Sequence, residues 1–286
     1  MSSASVNVPW SRMKSPKSAT SRESLRFLPT PRDRLILEAV RVHGRLTADQ
    51  IRRLIFRKKD GSLVSTQAVN FRLRKLVDKL YLNPVVVDSG VGTGPYAYGL
   101  GWRGAALFAT AGPRRRREGV GSVWHSLEVA EFRISLQQAL ETKDGSLVEW
   151  VGEPMLRSIL VGRTGWPIPD ALVHWRLPGR EGAFLLEWDR GSEALATVVL
   201  KLRRYANYWR QRGHKELVPG LGLRTRLAIV LGSIERRDRL IRWLLEHSGA
   251  ALNTTIMIGY TESVQANPLG ATWWRSDIKN VGALTD

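Results

Sequence analysis

Three carboxylates and a lysine in the second half of the chain have the types and spacing of a metal-dependent phosphodiester-cleaving site. Asp170 begins a predicted strand, the next strand ends at Glu187 and Asp189, and the following helix carries Lys201. Residues two apart on a strand share a face, so Glu187 and Asp189 point together and Asp170 can lie beside them. Converging acids suit Mg²⁺, and a nearby lysine can stabilise a charged phosphate transition state. The pattern predicts Asp170, Glu187 and Asp189 as metal ligands, catalytic together with Lys201.

The same pattern also has a plainer interpretation, in which the three acids are ordinary solvated charges on a hairpin. Ala183 and Leu185 lie on the face of Glu187 and Asp189, which indicates a half-buried position and favours the metal site. Cysteine is absent and the five histidines lack metal-ligand spacing. Mg²⁺ held by carboxylates is therefore the one cofactor that the sequence suggests.

Alternating helices and strands are predicted around these acids. The predicted elements of the second half are a helix over 123–140, strands over 147–152, 170–177 and 183–189, a helix over 194–211, a strand over 227–231, a helix over 234–247 and a strand over 255–260. This order is typical of an α/β (α+β) layer with a mixed sheet flanked by helices.

The N-terminal third has a different pattern of three short helices followed by a hairpin. Caps at Thr30, Thr47 and Ser65 precede apolar residues at helical spacing. Two short apolar runs, 85–87 and 96–98, then flank a glycine-rich tip. This order predicts a winged helix-turn-helix.

The third helix carries the residues best suited to contact DNA. Gln67, Asn70 and Arg74 share its polar face, where asparagine or glutamine can pair with adenine and arginine with guanine. Thr66, Arg72 and Lys75 flank this face, and the flanking cations can neutralise phosphates. A basic run further along the chain is also predicted to contact DNA, namely Arg114, Arg115, Arg116 and Arg117. A merely solvated polar face is the alternative.

The net charge of +18 is unevenly distributed. Residues 1–117 contain 23 basic and 7 acidic residues, a balance of +16, whereas the remainder contains 21 and 19, a balance of +2. Such an excess favours a polyanionic partner, either nucleic acid or an anionic membrane. No apolar stretch approaches the roughly 20 residues that cross a bilayer, and the N-terminus lacks an apolar signal core. We therefore expect a cytoplasmic protein that binds double-stranded DNA and no membrane.

Several short motifs follow one another along the chain. They are Leu28-Pro-Thr-Pro-Arg-Asp-Arg, His125-Ser-Leu-Glu, Pro169-Asp-Ala-Leu, Leu186-Glu-Trp-Asp-Arg-Gly and Lys201-Leu-Arg-Arg-Tyr. Together they resemble the replication-relaxation family of plasmid and mobile-element proteins, over roughly residues 28–248. The resemblance implies DNA binding linked to the replication, relaxation or transfer of mobile DNA.

The second half is also similar in plan to the PD-(D/E)xK nuclease superfamily, in which an aspartate and a glutamate hold Mg²⁺ and a lysine assists. Asp170 and Glu187 match the first two positions, but Asp189 stands where that superfamily has lysine. Either Lys201 has taken over from the helix, or catalysis is lost and the fold serves binding.

These observations define five segments and leave three functions open. The segments are a disordered basic tail (1–28), a winged helix-turn-helix domain (29–111), a basic linker (112–122), a nuclease-like α/β domain (123–262) and a C-terminal extension (263–286). The leading function is a double-stranded DNA-binding protein of plasmid or mobile-element replication, relaxation or transfer, which could pair with itself as a dimer or with another mobile-element protein. The alternatives are a Mg²⁺-dependent endonuclease that nicks or cleaves DNA, and a winged-helix transcriptional regulator.

Overall fold

The computed structural model describes residues 27–58, 60–87, 94–108, 120–213, 217, 225–247 and 255–286. Residues 1–26 of the predicted tail, the tip of the predicted hairpin and residues 112–119 of the predicted linker lie outside these ranges. Within them, no helix combines the length and the apolar character needed to cross a lipid bilayer.

The first three helices begin where their capping residues predict. Thr30 and Thr47 each form a capping box, in which Asp33 and Gln50 return the hydrogen bond to the cap backbone. The Ser65 hydroxyl accepts from a backbone amide of the third helix. These bonds satisfy amides that a helix leaves without partners in its first turn. The helices are α1 (Pro31–His43), α2 (Ala48–Ile55) and α3 (Thr66–Asp78).

A small antiparallel sheet packs with these helices. Its strand order is β1-β3-β2, so the predicted hairpin partners β2 and β3 are neighbours and the short strand before α2 pairs with β3. Apolar side chains from all three helices and the sheet form one buried core. The elements are β1 (Leu46–Thr47), β2 (Leu82–Val86), β3 (Tyr96–Leu100) and a short helix α4 (Trp102–Leu107).

The second half is built on a mixed seven-stranded sheet, which confirms the predicted α/β class. Its order is β10-β9-β8-β7-β6-β5-β4. Strands β6, β7 and β8 run parallel, and the other neighbouring pairs are antiparallel. The strands are β4 (Ser146–Gly152), β5 (Ala171–Leu177), β6 (Arg180–Asp189), β7 (Thr225–Leu231), β8 (Ile256–Tyr260), β9 (Trp273–Arg275) and β10 (Asn280–Gly282).

Helices cover both faces of this sheet. Alternate residues of β6 point to opposite faces, so Phe184, Leu186 and Trp188 pack on one side and Leu185 on the other. Helices α5 and α9 cover the first face, and α7 and α8 cover the second. The helices are α5 (Val120–Glu141), α6 (Glu153–Ile159), α7 (Leu195–Arg210), α8 (Ile234–Glu246) and α9 (Thr261–Ala266).

Contacts in the structure cross two of the predicted segment boundaries, the one at residues 112–122 and the one at residues 262–263. Residues 263–286, predicted as an extension, complete the large sheet through β9 and β10, and the Trp273 side chain is fully buried in its core. Helix α5 also packs on the N-terminal helices, where Gln50 Nε2 donates to the Leu127 carbonyl at 2.8 Å and Ala130 joins their apolar core. These contacts depend on distant packing, which local sequence patterns do not encode.

Candidate functional site

Asp170, immediately before β5, is a neighbour of Glu187 on β6. Ala171 pairs with Leu186 in the antiparallel register, and the Asp170 amide donates to the Leu186 carbonyl at 2.9 Å. The register, extended by one residue, places Asp170 opposite Glu187. Directly opposed side chains of an antiparallel pair lie on the same face of the sheet. Two of the three predicted acids are therefore brought together.

Glu187 is a buried carboxylate with two side-chain donors. Its Oε1 accepts from the Tyr205 hydroxyl at 2.6 Å, and its Oε2 accepts from Lys201 Nζ at 3.3 Å. Burial, followed by the negative charge of Asp170, raises the pKa of Glu187 to about 7, against the lowering effects of Lys201 and Tyr205. The carboxylate thus lies at the boundary between its neutral and charged forms near neutral pH.

Asp170 connects β6 to α5. Its Oδ2 accepts from the Trp188 backbone amide at 2.6 Å, and its Oδ1 lies 2.9 Å from His125 Nε2. Burial disfavours the charged imidazole, but Asp170 and more distant carboxylates outweigh it and raise the pKa of His125 above its ordinary value. The acid pair is therefore flanked by an imidazole on one side and by Lys201 on the other.

Lys201, predicted as an electrostatic helper, is a close neighbour of the acid pair. It contacts Glu187 from α7, and its Nζ is 3.8 Å from a carboxylate oxygen of Glu193. Burial opposes its charge, but Glu187 and Asp170 outweigh burial and raise the pKa of the ammonium. The lysine that contacts the acid pair therefore comes from helix α7, whereas position 189 of strand β6 is an aspartate.

Asp189 does not join the acid pair, and its assignment as a metal ligand is corrected. Its Oδ2 accepts from Arg236 Nε of α8 at 2.7 Å, and its Oδ1 accepts from the Gly191 amide at 2.8 Å. Asp189 lies on the same face of β6 as Glu187. Because it is two residues further along the strand, it contacts α8, whereas Glu187 contacts α7. Among the residues that the structure describes, no group of three or more potential ligands could hold a metal.

Two residues at the acid pair were not singled out as site residues from the sequence. His125 is 45 positions from its partner Asp170 in the sequence, and Tyr205 is 18 positions from its partner Glu187. Both side chains come from helices. Both belong to motifs on which the family resemblance depends, His125-Ser-Leu-Glu and Lys201-Leu-Arg-Arg-Tyr. That membership was the available signal, since neither residue stands out by spacing.

The polar face of α3 is exposed on the opposite side from its core residues. Val69, Leu73 and Leu76 are buried in the N-terminal core. Five of the six DNA-contacting residues predicted on this helix are exposed, namely Thr66, Gln67, Asn70, Arg74 and Lys75. The other predicted contacts, Arg114, Arg115, Arg116 and Arg117, lie outside the described residues.

Arg72 is paired with an aspartate of α1, Asp33, and is not a free cation on the exposed face of α3. Its Nε lies 2.5 Å from Asp33 Oδ1, and its Nη2 donates to Asp33 Oδ2 at 2.9 Å. Burial raises the pKa of Asp33, but Arg72 and Thr30 outweigh it, so the net pKa is lowered. Arg72 therefore joins α3 to the beginning of α1, and its assignment as a phosphate contact is corrected.

The fold and site define a mixed α/β protein with an acid pair, of which Glu187 is buried, and a separate exposed polar helix. The replication-relaxation family model matches residues 37–221, more than half of the chain, and the chain belongs to this family. No curated protein matches it.

Two solved structures of the restriction endonuclease FokI are similar to this chain, one of the enzyme and one of the enzyme bound to DNA. Their identities are 12% and 13%, and their TM-scores are 0.29 and 0.26. The matches cover 82% of this chain but only 42% and 43% of the FokI chains. This chain thus spans less than half the length of FokI, and TM-scores of this size do not by themselves establish a shared fold.

Proposed function

We propose that this chain is a double-stranded DNA-binding protein that acts in the cytoplasm in the replication, relaxation or transfer of plasmid or other mobile DNA. Its N-terminal part is proposed to be a winged helix, in which α3 enters the major groove and the β2–β3 hairpin forms the wing. Membership of the replication-relaxation family supports the process. The order of three helices and a hairpin supports the mode of binding.

The exposed face of α3 is the observation that carries this proposal. Gln67, Asn70 and Arg74 project from a helix whose opposite side is anchored in the core. Arginine can donate two hydrogen bonds to guanine, and asparagine or glutamine can bond adenine through both amide atoms. A helix held rigidly by its apolar face can present such groups at fixed spacing. We infer that these three residues determine sequence preference.

The charge distribution supports the same proposal. The balance of +16 in residues 1–117 provides cations that can displace counterions from the phosphate backbone. Lys75, at the edge of the exposed face, lies 5.0 Å from the Phe27 ring centroid and is positioned by that contact. We infer that Lys75 and Thr66 contact phosphates and set the orientation of α3 on the duplex.

Replacing Asn70 and Arg74 together with alanine should weaken binding to a preferred duplex by at least about tenfold, since each bidentate base contact contributes about 1–3 kcal/mol. The duplex is first selected by the wild-type protein from a randomised pool. Fluorescence anisotropy then compares its affinity with that of a scrambled duplex, and the double variant should bind the two more equally.

The control for that experiment is Arg176→Ala, which removes a largely exposed arginine from β5, on the other sheet. This variant should bind the selected duplex like the wild type. Unchanged affinity and preference in the Asn70→Ala, Arg74→Ala protein would rule out α3 as the reading helix. Equal losses in both proteins would indicate a general charge effect instead.

We propose metal-dependent cleavage of DNA as a second activity, because Asp170, Glu187 and Lys201 converge. Mg²⁺ can be held by two carboxylates with water and phosphate oxygens completing its shell, so the loss of Asp189 from the set leaves a sufficient donor pair. When bound, the ion would act as a Lewis acid toward a phosphate oxygen. Asp170 and Glu187 would hold it.

The other side chains at the acid pair have separable roles in this proposal. Lys201, already charged and in contact with Glu187, would stabilise negative charge that develops on the phosphate. Tyr205 donates to Glu187 and fixes the orientation of its carboxylate. Exposed arginines on the same helix, Arg203, Arg204 and Arg210, can bind the phosphate backbone.

Cleavage is tested by incubating the protein with supercoiled plasmid in Mg²⁺ or Mn²⁺ and resolving nicked and linear products on a gel. The wild type should produce nicked or linear DNA, whereas EDTA or Glu187→Ala should reduce the rate to background. Glu149→Ala is the matched control, because Glu149 is an exposed glutamate on β4. Plasmid that is only retarded, equally by wild type and Glu187→Ala, would show that the second half serves binding alone.

A further inference from the structure

A cavity of about 440 Å³ lies between the N-terminal helices and the second half of the chain. Its walls come from α1, α2, α5 and the beginning of β4. Apolar side chains form much of the lining, and a volume of this size lies in the range of small-molecule sites. The apolar residues are Leu35, Ala39, Val42, Leu54, Ile55 and Leu147.

Arg133 of α5 brings a positive charge to this cavity. Its Nη1 donates to His43 Nε2 at 2.7 Å, and its guanidinium lies 5.9 Å from the Trp150 ring centroid. Its Nε is buried without a hydrogen-bond partner. Within the described part of the chain, no carboxylate pairs with Arg133. A largely buried cation without a counterion is costly, so this arrangement favours an anion.

His43 does not provide that anion and does not add a competing charge. Burial, and then the nearby Arg133, lower the pKa of His43 well below its ordinary value, so its ring is neutral and accepts the hydrogen bond. Burial lowers the pKa of Arg133 to about 10, which leaves the guanidinium charged at neutral pH. The pair therefore carries one net positive charge.

Two glutamates also line the cavity, but each has its own cation. Glu38 accepts from Arg41 Nε at 2.9 Å, and Glu141 lies 3.4 Å from Arg57 Nη1. Gln137 also donates to Glu141 at 2.8 Å. Because these charges are compensated locally, the uncompensated charge of the cavity is that of Arg133.

We propose that this cavity binds a small organic anion, whose carboxylate or phosphate pairs with Arg133 and whose apolar group lies against the α1 and α2 side chains. The site is separate from the acid pair and from the exposed face of α3. A bound ligand would contact α1, α2, α5 and β4 at once. It would therefore stabilise the packing between the two halves of the chain.

Octanoate, octyl phosphate and the neutral analogue octanamide are suitable probes, and isothermal titration calorimetry measures their binding. At least one anion should bind with a stoichiometry of one and about tenfold or more tighter than octanamide, since hydrogen bonds to charged groups exceed neutral ones by this amount. Binding of octanoate alone, octyl phosphate alone or both would identify a carboxylate, phosphate or general anion site.

Two variants test the location of binding. Arg133→Gln should remove the preference for the anion over octanamide. Ser146→Trp introduces a large ring at an exposed residue of the cavity rim, so it should block all three probes without requiring a change in the core. The proposal would be overturned if octanamide bound as tightly as the anions, or if neither anion showed saturable binding. It would also be overturned if the Ser146→Trp protein bound the probes as the wild type does.

Discussion

Replacing Asp189 with alanine should lower the free energy of unfolding by about 3–5 kcal/mol, as expected when one partner of a buried ion pair is removed. The side chains of Asp189 and Arg236 are only 10% and 9% exposed. Without Asp189, Arg236 keeps its hydrogen bond to the Glu193 carbonyl but loses its counterion. The remaining bond places the expected loss toward the lower end of this range.

Urea denaturation measures this loss, with Asp238→Ala as the matched control. Asp238 pairs with Arg237 on the same helix but is 49% exposed, so its removal should cost less than about 1 kcal/mol. Replacing Asp189 and Arg236 together with leucine and methionine should recover much of the loss, because no unpaired charge remains. If the Asp189→Ala protein were as stable as the wild type and its cleavage of plasmid DNA depended differently on Mg²⁺, the result would instead favour Asp189 as a metal ligand.

Local sequence signals were sufficient for the longer helices and strands and for one face of the site, but they missed β1, α6, α9, β9 and β10. Caps at Thr30, Thr47 and Ser65 predicted three helix starts correctly, because each cap acts within one turn. The two-residue period of a strand predicted that Glu187 and Asp189 face the same way. The short turn between β5 and β6 then allowed Asp170 to be placed beside Glu187.

The failures share a physical cause, which is that the deciding partner is distant in sequence. Asp189 is neutralised by Arg236, 47 positions away, and Arg72 is paired with Asp33, 39 positions away. Each pair depends on how two helices or a helix and a strand pack together. Residue type alone does not distinguish a charge that binds a ligand from one that meets an internal partner. The sequence therefore overestimated the number of free functional charges.

Glu187 gives a second large effect, because a buried carboxylate couples stability to pH. Its folded-state pKa of about 7 exceeds its ordinary value of 4.5, so the native protein binds this proton more tightly than the unfolded chain does. The stabilising contribution is therefore fully present below about pH 4.5 and is lost as pH rises through about 7. This pKa difference corresponds to a free energy on the order of 3 kcal/mol.

We expect the free energy of unfolding of the wild type, relative to Glu187→Gln, to fall by roughly that amount between pH 4.5 and about pH 8. The glutamine cannot titrate, so subtracting the two urea-denaturation curves isolates the contribution of this carboxyl. Added Mg²⁺ should reduce the decline in the wild type if the acid pair binds the ion, because a cation stabilises the charged carboxylates. Parallel curves without Mg²⁺ would contradict the burial of a titrating Glu187, whereas a decline that Mg²⁺ leaves unchanged would retain the buried acid but argue against the metal site.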